Sequence, residues 1–163
     1  MKPTVEAFWR DYLATLDHPE QAQARWLETF TIGDTPESAD EGAALLLQGI
    51  KTATSSLWWP TEEPTDTPKV QVGSLSIALD GQGRPVCVVE TTALEIRAFD
   101  EIDAAFAHAY GEWGRTLEGW RAGAWAYYAA QYRALDKEPT PTMPLLCEWL
   151  TVVYPPAQAP DDG

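Results

Sequence analysis

Gly49-Ile50-Lys51-Thr52-Ala53-Thr54-Ser55-Ser56-Leu57-Trp58-Trp59 is the stretch at which the hydrophobic period of the chain changes. Upstream of it, apolar residues recur at helical spacing. From Lys51 onward hydroxyl and aromatic side chains take over, which favours an extended strand. Gly49 suits the position just past a helix C-terminus, where a left-handed backbone is needed. Ahead of it, Thr35 is placed to cap a helix, Pro36 to occupy its first position and Glu37 to face its positive end. The apolar run Ala43 to Leu47 completes that helix.

Moving towards the N-terminus, residues 4–16 place Val5, Phe8, Trp9, Tyr12, Leu13 and Leu16 on one helical face. Asp17-His18-Pro19 breaks that helix, and residues 19–30, with Ala22, Trp26, Leu27 and Phe30, predict a second one. Residues 1–30 are therefore expected to be helical. Moving towards the C-terminus, residues 60–68 hold three prolines and three acids and predict a mobile, exposed loop. Leu75, Ile77 and Leu79 alternate with polar neighbours in a half-buried strand. Asp80-Gly81-Gln82-Gly83 predicts a hairpin into a long strand over residues 85–99. Asp100 is expected to cap a short helix over 101–110, and Thr116 a longer one over 117–135, with Pro139 beyond it. Residues 143–154 read as a closing strand, and 156–163 as a disordered tail.

This order lacks alternating strand–helix units, which argues against a doubly wound parallel sheet. Few strands, one hairpin and a late closing strand predict an α+β fold: a small mixed or antiparallel β-barrel with surrounding helices, in one domain over residues 1–155. No GxGxxG, P-loop, GxSxG or HExxH motif is present.

Composition narrows the function. The 163 residues carry 11 Lys and Arg against 25 Asp and Glu, a net charge of −14, and no third of the chain is basic. A broad track for a phosphate backbone is therefore missing, which speaks against duplex DNA and an anionic membrane as partners. One nucleoside or a neutral small molecule remains compatible with local potential. No run approaches the roughly 18 apolar residues of a membrane helix, and the N-terminus has no signal-peptide core, so a soluble, cytoplasmic domain is expected. Cys87 and Cys147 lie in apolar runs and read as small buried hydrophobes; with only two histidines, no zinc spacing is available, and no tightly held metal or cofactor is expected.

Two stretches hold chemistry. Lys51 stands among hydroxyls and aromatics, where desolvation lowers an ammonium's pKa and lets it act as a base; a lysine-activated threonine is an established nucleophile. In a regular strand, however, positions 51 and 54 face opposite sides, so pairing Lys51 with Thr54 needs a turn or bulge, which Gly49 permits. The second stretch is Ala109-Tyr110-Gly111-Glu112-Trp113-Gly114-Arg115-Thr116, a tight loop that presents Glu112 to orient Lys51 or relay a proton. Thr52, Ser55 and Arg115 border these stretches as candidate substrate-binding groups. Trp58, Trp59, Trp120 and Trp125 are candidates to stack a base, although aromatics at helical spacing also build cores. Glu90 and Glu95 are alternative acids. Lys51, Lys69, Arg97, Arg115 and Arg121 are the cations available to an RNA strand.

At these two stretches the sequence resembles the ASCH domain family, small barrels related to the PUA-like RNA-binding fold. The resemblance runs in order over about residues 28–154: Phe30-Thr31-Ile32-Gly33, Ala39-Asp40, Leu45 to Leu47, the signature Gly49-x-Lys51-Thr52-x-Thr54, Val72-Gly73, Val86-Cys87-Val88, Phe99-Asp100, Gly111-Glu112, Leu117-x-x-Trp120-Arg121 and Leu146-Cys147-Glu148. Bacterial members with the GxKxxT pattern include amidohydrolases that remove the acetyl group from N4-acetylcytidine. Their functional trio matches Lys51, Thr54 and Glu112, which implies a cofactor-independent hydrolase with a Lys-activated Thr nucleophile. Other members resemble RNA binders or single-strand ribonucleases, in which Lys51 would meet a phosphate. The chain departs from close relatives in the later loop, where they read Glu-Gly-Glu-Gly-Asp and this chain has Tyr110-Gly111-Glu112-Trp113-Gly114; a histidine common after the Trp-Arg pair is Ala124 here.

Overall fold

In the computed structural model, residues 2–58 and 69–156 are described. The predicted loop over 60–68, Trp59 and the tail beyond residue 156 lie outside them. The elements run α1 (Pro3–Leu13), α2 (Pro19–Gln23), β1 (Trp26–Phe30), α3 (Pro36–Leu47), β2 (Ala53–Leu57), β3 (Leu75–Leu79), β4 (Pro85–Ala98), α4 (Ala104–Tyr110), α5 (Leu117–Ala134) and β5 (Pro144–Tyr154). The fold is α+β, as expected. Its five strands are hydrogen-bonded in the order β1-β3-β4-β5-β2, an open mixed sheet.

Two compact units divide the chain. The first holds residues 2–49, 69–92 and 150–156. Here the predicted second helix is corrected: it ends at Gln23, and Trp26–Phe30 is a strand. β1 pairs in parallel with β3, Trp26 opposite Leu75 and Phe30 opposite Ala78. Sheet pairing with residues almost fifty positions away outweighs the weak helical spacing of Trp26, Leu27 and Phe30. The hairpin is as predicted, β3 running antiparallel to β4 with Ile77 opposite Val88. Asp80 Oδ1 accepts from the backbone N–H groups of Gln82 and Arg84, fixing the turn.

β3 is not half-buried. Leu75 and Ile77 join Val5, Trp9, Tyr12 and Val88 on one face, while Ala78 joins Ile32, Leu46, Cys87, Val89 and Leu150 on the other. A strand flanked on both sides buries both faces of its pleat. α3 starts as expected, with Thr35 Oγ1 accepting from Ser38 N–H and Ser38 Oγ accepting from Thr35 N–H, a reciprocal cap.

The second unit holds residues 50–58 and 93–149. β2 runs antiparallel to β5, with Thr54 opposite Glu148 and Ser55 opposite Cys147. α4 begins three residues later than expected. Its cap is Asp103, whose carboxylate accepts from Phe106 N–H, while Asp100 lies in a short 3-10 turn. α5 begins where Thr116 accepts from Gly119 N–H. Trp120, Ala124, Tyr128 and Tyr132 recur every four residues and pack with Phe99, Phe106, Tyr110, Met143 and Leu145. No described helix is long and apolar enough to cross a membrane.

Candidate functional site

The C-terminal end of α4 organises the site. Gly111 caps it with a left-handed backbone, φ 78°. The last carbonyls of a helix lack intrahelical partners and carry its negative end. Here three successive ones are taken up by the surrounding loops: His108 O accepts from Arg115 Nε at 3.0 Å, Ala109 O from Thr52 N–H at 2.7 Å, and Tyr110 O from Lys51 Nζ at 3.1 Å. The segment before β2 is thereby docked on the helix end. Gly111 is required for this approach, because a Cβ there would lie 2.9 Å from Lys51 Cα and 3.0 Å from Ile50 O.

Lys51 is buried, 1% exposed. Its ammonium donates to Glu112 Oε2 at 2.7 Å and stands 3.4 Å from the centroid of the Tyr110 ring. A carboxylate, a helix-end carbonyl and an aromatic face therefore replace the water that a lysine normally keeps. Burial lowers its pKa from 10.5 to about 8; the attraction of Glu112 and the hydrogen bond to it act the other way and keep the fall from being larger. Glu112 is 13% exposed at its side chain, so the pair opens towards solvent on the carboxylate side.

The Tyr110 side chain that covers Lys51 belongs to a set of hydrogen-bonded hydroxyls. Ser55 Oγ and the Tyr128 phenol are hydrogen-bonded at 2.5 Å. Burial pushes the Tyr110 phenol well above its usual range, the Glu112 charge adds to this, and hydrogen bonding to Ser55, Thr54 and Tyr128 opposes it. Tyr110 thus stays a protonated donor at neutral pH, in contact with Lys51 through its ring and carbonyl and with Thr54 through its hydroxyl. The difficulty that a regular strand poses for positions 51 and 54 is eased because β2 begins only at Ala53, leaving Lys51 in the irregular segment before it.

Other predicted residues fall in different roles. Thr52 docks on α4 and is exposed, and Trp58 is half-buried at the end of β2. Arg115 donates to His108 O and Ile50 O, bracing backbone on either side of the site. Trp120 is fully buried among the core aromatics, edge-on to Tyr110 and Phe106. Trp125 packs edge-on to Phe99. Arg121 is exposed on α5. Glu90 is paired with Arg25, and Glu95 with Arg97. Among the described residues no cluster of three His, Cys, Asp or Glu side chains could hold a metal ion.

Tyr110 and Trp113 were not singled out by the sequence, although both stand in the loop that was. Trp113 stacks on Tyr110 at 5.3 Å between centroids and 15° between planes. The one signal in the sequence was the entry of a tryptophan beside the site glutamate.

A family model described as ASCH domain matches residues 28–154. The crystal structure of an ASCH domain from Lactobacillus crispatus is similar in fold, with a TM-score of 0.84 at 23% identity over 93% of this chain and 95% of that one. That of a protein from Enterococcus faecalis has a TM-score of 0.78 at 27% identity over 94% of each chain. No curated protein matches.

Proposed function

The chain belongs to the ASCH domain family, and on that premise we propose that it is a cofactor-independent hydrolase cleaving the amide of an acylated nucleoside, with N4-acetylcytidine as the model substrate. One observation carries the reading: a fully buried lysine, paired with Glu112, is covered by the ring of Tyr110, whose hydroxyl is hydrogen-bonded to Thr54. An ordinary surface lysine is protonated at pH 7 almost without exception. One that titrates near 8 is neutral in about a tenth of molecules at pH 7, enough to serve as a base.

In the proposed cycle neutral Lys51 takes the proton of Thr54 Oγ as that oxygen bonds to the acyl carbon. The carbonyl electron pair moves onto oxygen, then returns as the C–N bond breaks, and the leaving amine takes the proton from Lys51. Water, deprotonated by Lys51, attacks the acyl-threonine ester; the Thr54 oxygen leaves and recovers its proton, and a carboxylic acid is released. Glu112 orients Lys51 throughout, and the Tyr110 phenol holds the Thr54 hydroxyl by hydrogen bonding.

The alternative, a single-stranded RNA binder or nuclease, needs free cations. Of the five candidate cations, Lys51 is buried, Arg97 is paired with Glu95 and Arg115 is committed to backbone carbonyls, which leaves Lys69 and Arg121 exposed to meet a strand. The test is chromatographic turnover of N4-acetylcytidine and, separately, of a short single-stranded RNA by wild type, Lys51→Ala and Thr54→Ala. Cytidine from wild type alone is the expected result. Cleaved RNA with intact nucleoside overturns it in favour of the nuclease, and no change in either substrate removes both hydrolytic readings and leaves RNA binding.

A further inference from the structure

The Tyr110 ring has two partners: the Lys51 ammonium, 3.4 Å from its centroid, and the near-parallel indole of Trp113. We propose that Trp113 is a positioning residue, seated in a notch of α5, that holds the Tyr110 ring against the Lys51 ammonium and keeps water from it. This deepens the amidohydrolase reading and rests on it for its catalytic meaning.

The notch is built by glycines. Gly119 and Gly123 are four residues apart and share one face of α5. A Cβ at Gly119 would lie 2.1 Å from the Trp113 carbonyl oxygen, and one at Gly123 would lie 2.3 to 2.6 Å from Cε2, Cδ2 and Nε1 of the indole. Glycines inside a helix weaken it relative to alanine, and here both spaces are filled by the same residue. The backbone adds to this: Trp113, Gly114 and Arg115 have φ of 54°, 75° and 60°. Left-handed conformations at a tryptophan and an arginine persist only where the surroundings impose them. The Arg115 bonds to His108 O and Ile50 O are part of that restraint. Trp113 is nonetheless 37% exposed. Helix notch, strained turn and guanidinium brace all serve to keep one half-exposed ring on Tyr110.

The groups that face the ammonium are Glu112 and Tyr110, with Arg115 reaching the carbonyl of Ile50 next to it. Losing the indole frees the Tyr110 ring and admits water. Relief of desolvation, the largest influence on this buried group, outweighs the loss of a single cation–π contact. The Lys51 titration midpoint must therefore rise from about 8 towards 10.5.

The chain has four lysines, so Lys51 is assigned in a 13C-lysine NMR titration by difference from Lys51→Ala. Trp113→Ala should move the Lys51 midpoint up by about one pH unit or more, and Trp113→Phe, which keeps a stacked ring, should leave it near 8. The pH profile of turnover should move with it. If Trp113→Ala does not fold, Gly123→Ala decides, since its methyl displaces the indole while leaving Trp113 in the chain. A midpoint unchanged in the folded variant overturns the proposal. The titration needs no substrate, so an enzyme that fails to turn over N4-acetylcytidine defeats the amidohydrolase reading while leaving the positioning role decided on its own evidence.

Discussion

Lys51 Nζ and Glu112 Oε2 lie 2.7 Å apart across 61 positions of sequence, with the lysine side chain wholly enclosed and the carboxylate only slightly open. Such a pair is costly to build. Taking an ammonium out of water is repaid only in part by one carboxylate, and replacing buried pairs by apolar groups is often stabilising. A fully enclosed ammonium beside a slightly open carboxylate fits a site kept for chemistry at the expense of stability.

The first prediction concerns that expense. Lys51 titrates near 8 in the folded chain and at 10.5 when unfolded. The unfolded state holds the proton more tightly, so below pH 8 folding bears a penalty of about 3 kcal/mol, which fades as pH rises from 8 to 10.5. Lys51→Met combined with Glu112→Leu removes the penalty without stranding a carboxylate, for a net gain of about 1–2 kcal/mol at pH 7. Calorimetric melts should place the variant above wild type at pH 7, with the gap closing by pH 10.5. A gap that does not change with pH would contradict the assignment.

The cysteines pull in the opposite direction. Burial pushes the thiols of Cys87 and Cys147 from 9 to about 12. Above pH 9 the unfolded chain releases these protons and the folded chain keeps them, so each thiol removes up to about 1.4 kcal/mol per pH unit between 9 and 12. Wild type should therefore lose melting temperature above pH 9, and Cys87→Ala with Cys147→Ala should flatten that fall while melting lower at pH 7, because two small cavities are left. An unchanged alkaline slope in the double variant would show that other groups cause it.

Two glycines with the same backbone geometry separate local strain from site assembly. Gly49 and Gly111 have φ of 76° and 78°, but a Cβ at Gly49 meets nothing within 4 Å, whereas one at Gly111 strikes the Lys51 backbone. Gly49→Ala should cost about 1 kcal/mol in urea denaturation, the penalty of a left-handed alanine, and preserve turnover. Gly111→Ala should cost at least about 2 kcal/mol and abolish turnover, since Lys51 must move. Equal effects of the two would mean that the close approach does not matter.

What could be read from the sequence was what local chemistry determines. Thr35 and Thr116 cap their helices because a hydroxyl two or three residues ahead of free N–H groups needs nothing else, and the Asp80–Gly83 hairpin follows from its turn residues alone. Lys51 and Glu112 were paired across the chain only through a motif, since no periodicity relates positions so far apart. Trp26–Phe30 was misread because its partner, β3, lies far along the chain and its own spacing imitates a helix. Asp103 displaced Asp100 as a cap because the chain first makes a 3-10 turn tied to Pro141 O and Met143 O. The Trp113 notch was invisible, since two glycines in a helix read as weakness until the ring that fills them is seen.

The last prediction turns on which form of Lys51 works. If its neutral amine takes the Thr54 proton, kcat/KM should rise about tenfold per pH unit up to about 8 and level off beyond it. Glu112 raises the Lys51 pKa by its charge and its hydrogen bond, so Glu112→Gln should move the bend below 8. The same change leaves the amine less well oriented, so the plateau should fall, by about 10- to 100-fold, even as it is reached at lower pH. Thr54→Ala should abolish turnover with the melt unchanged within about 1 kcal/mol, whereas Ser55→Ala, which removes the partner of Tyr128, should cost stability but leave measurable activity. Initial rates from pH 5.5 to 9.5 decide the matter: activity that declines above pH 8 would mean that the ammonium, not the amine, is the working form, and would recast Lys51 as a stabiliser of the developing oxyanion.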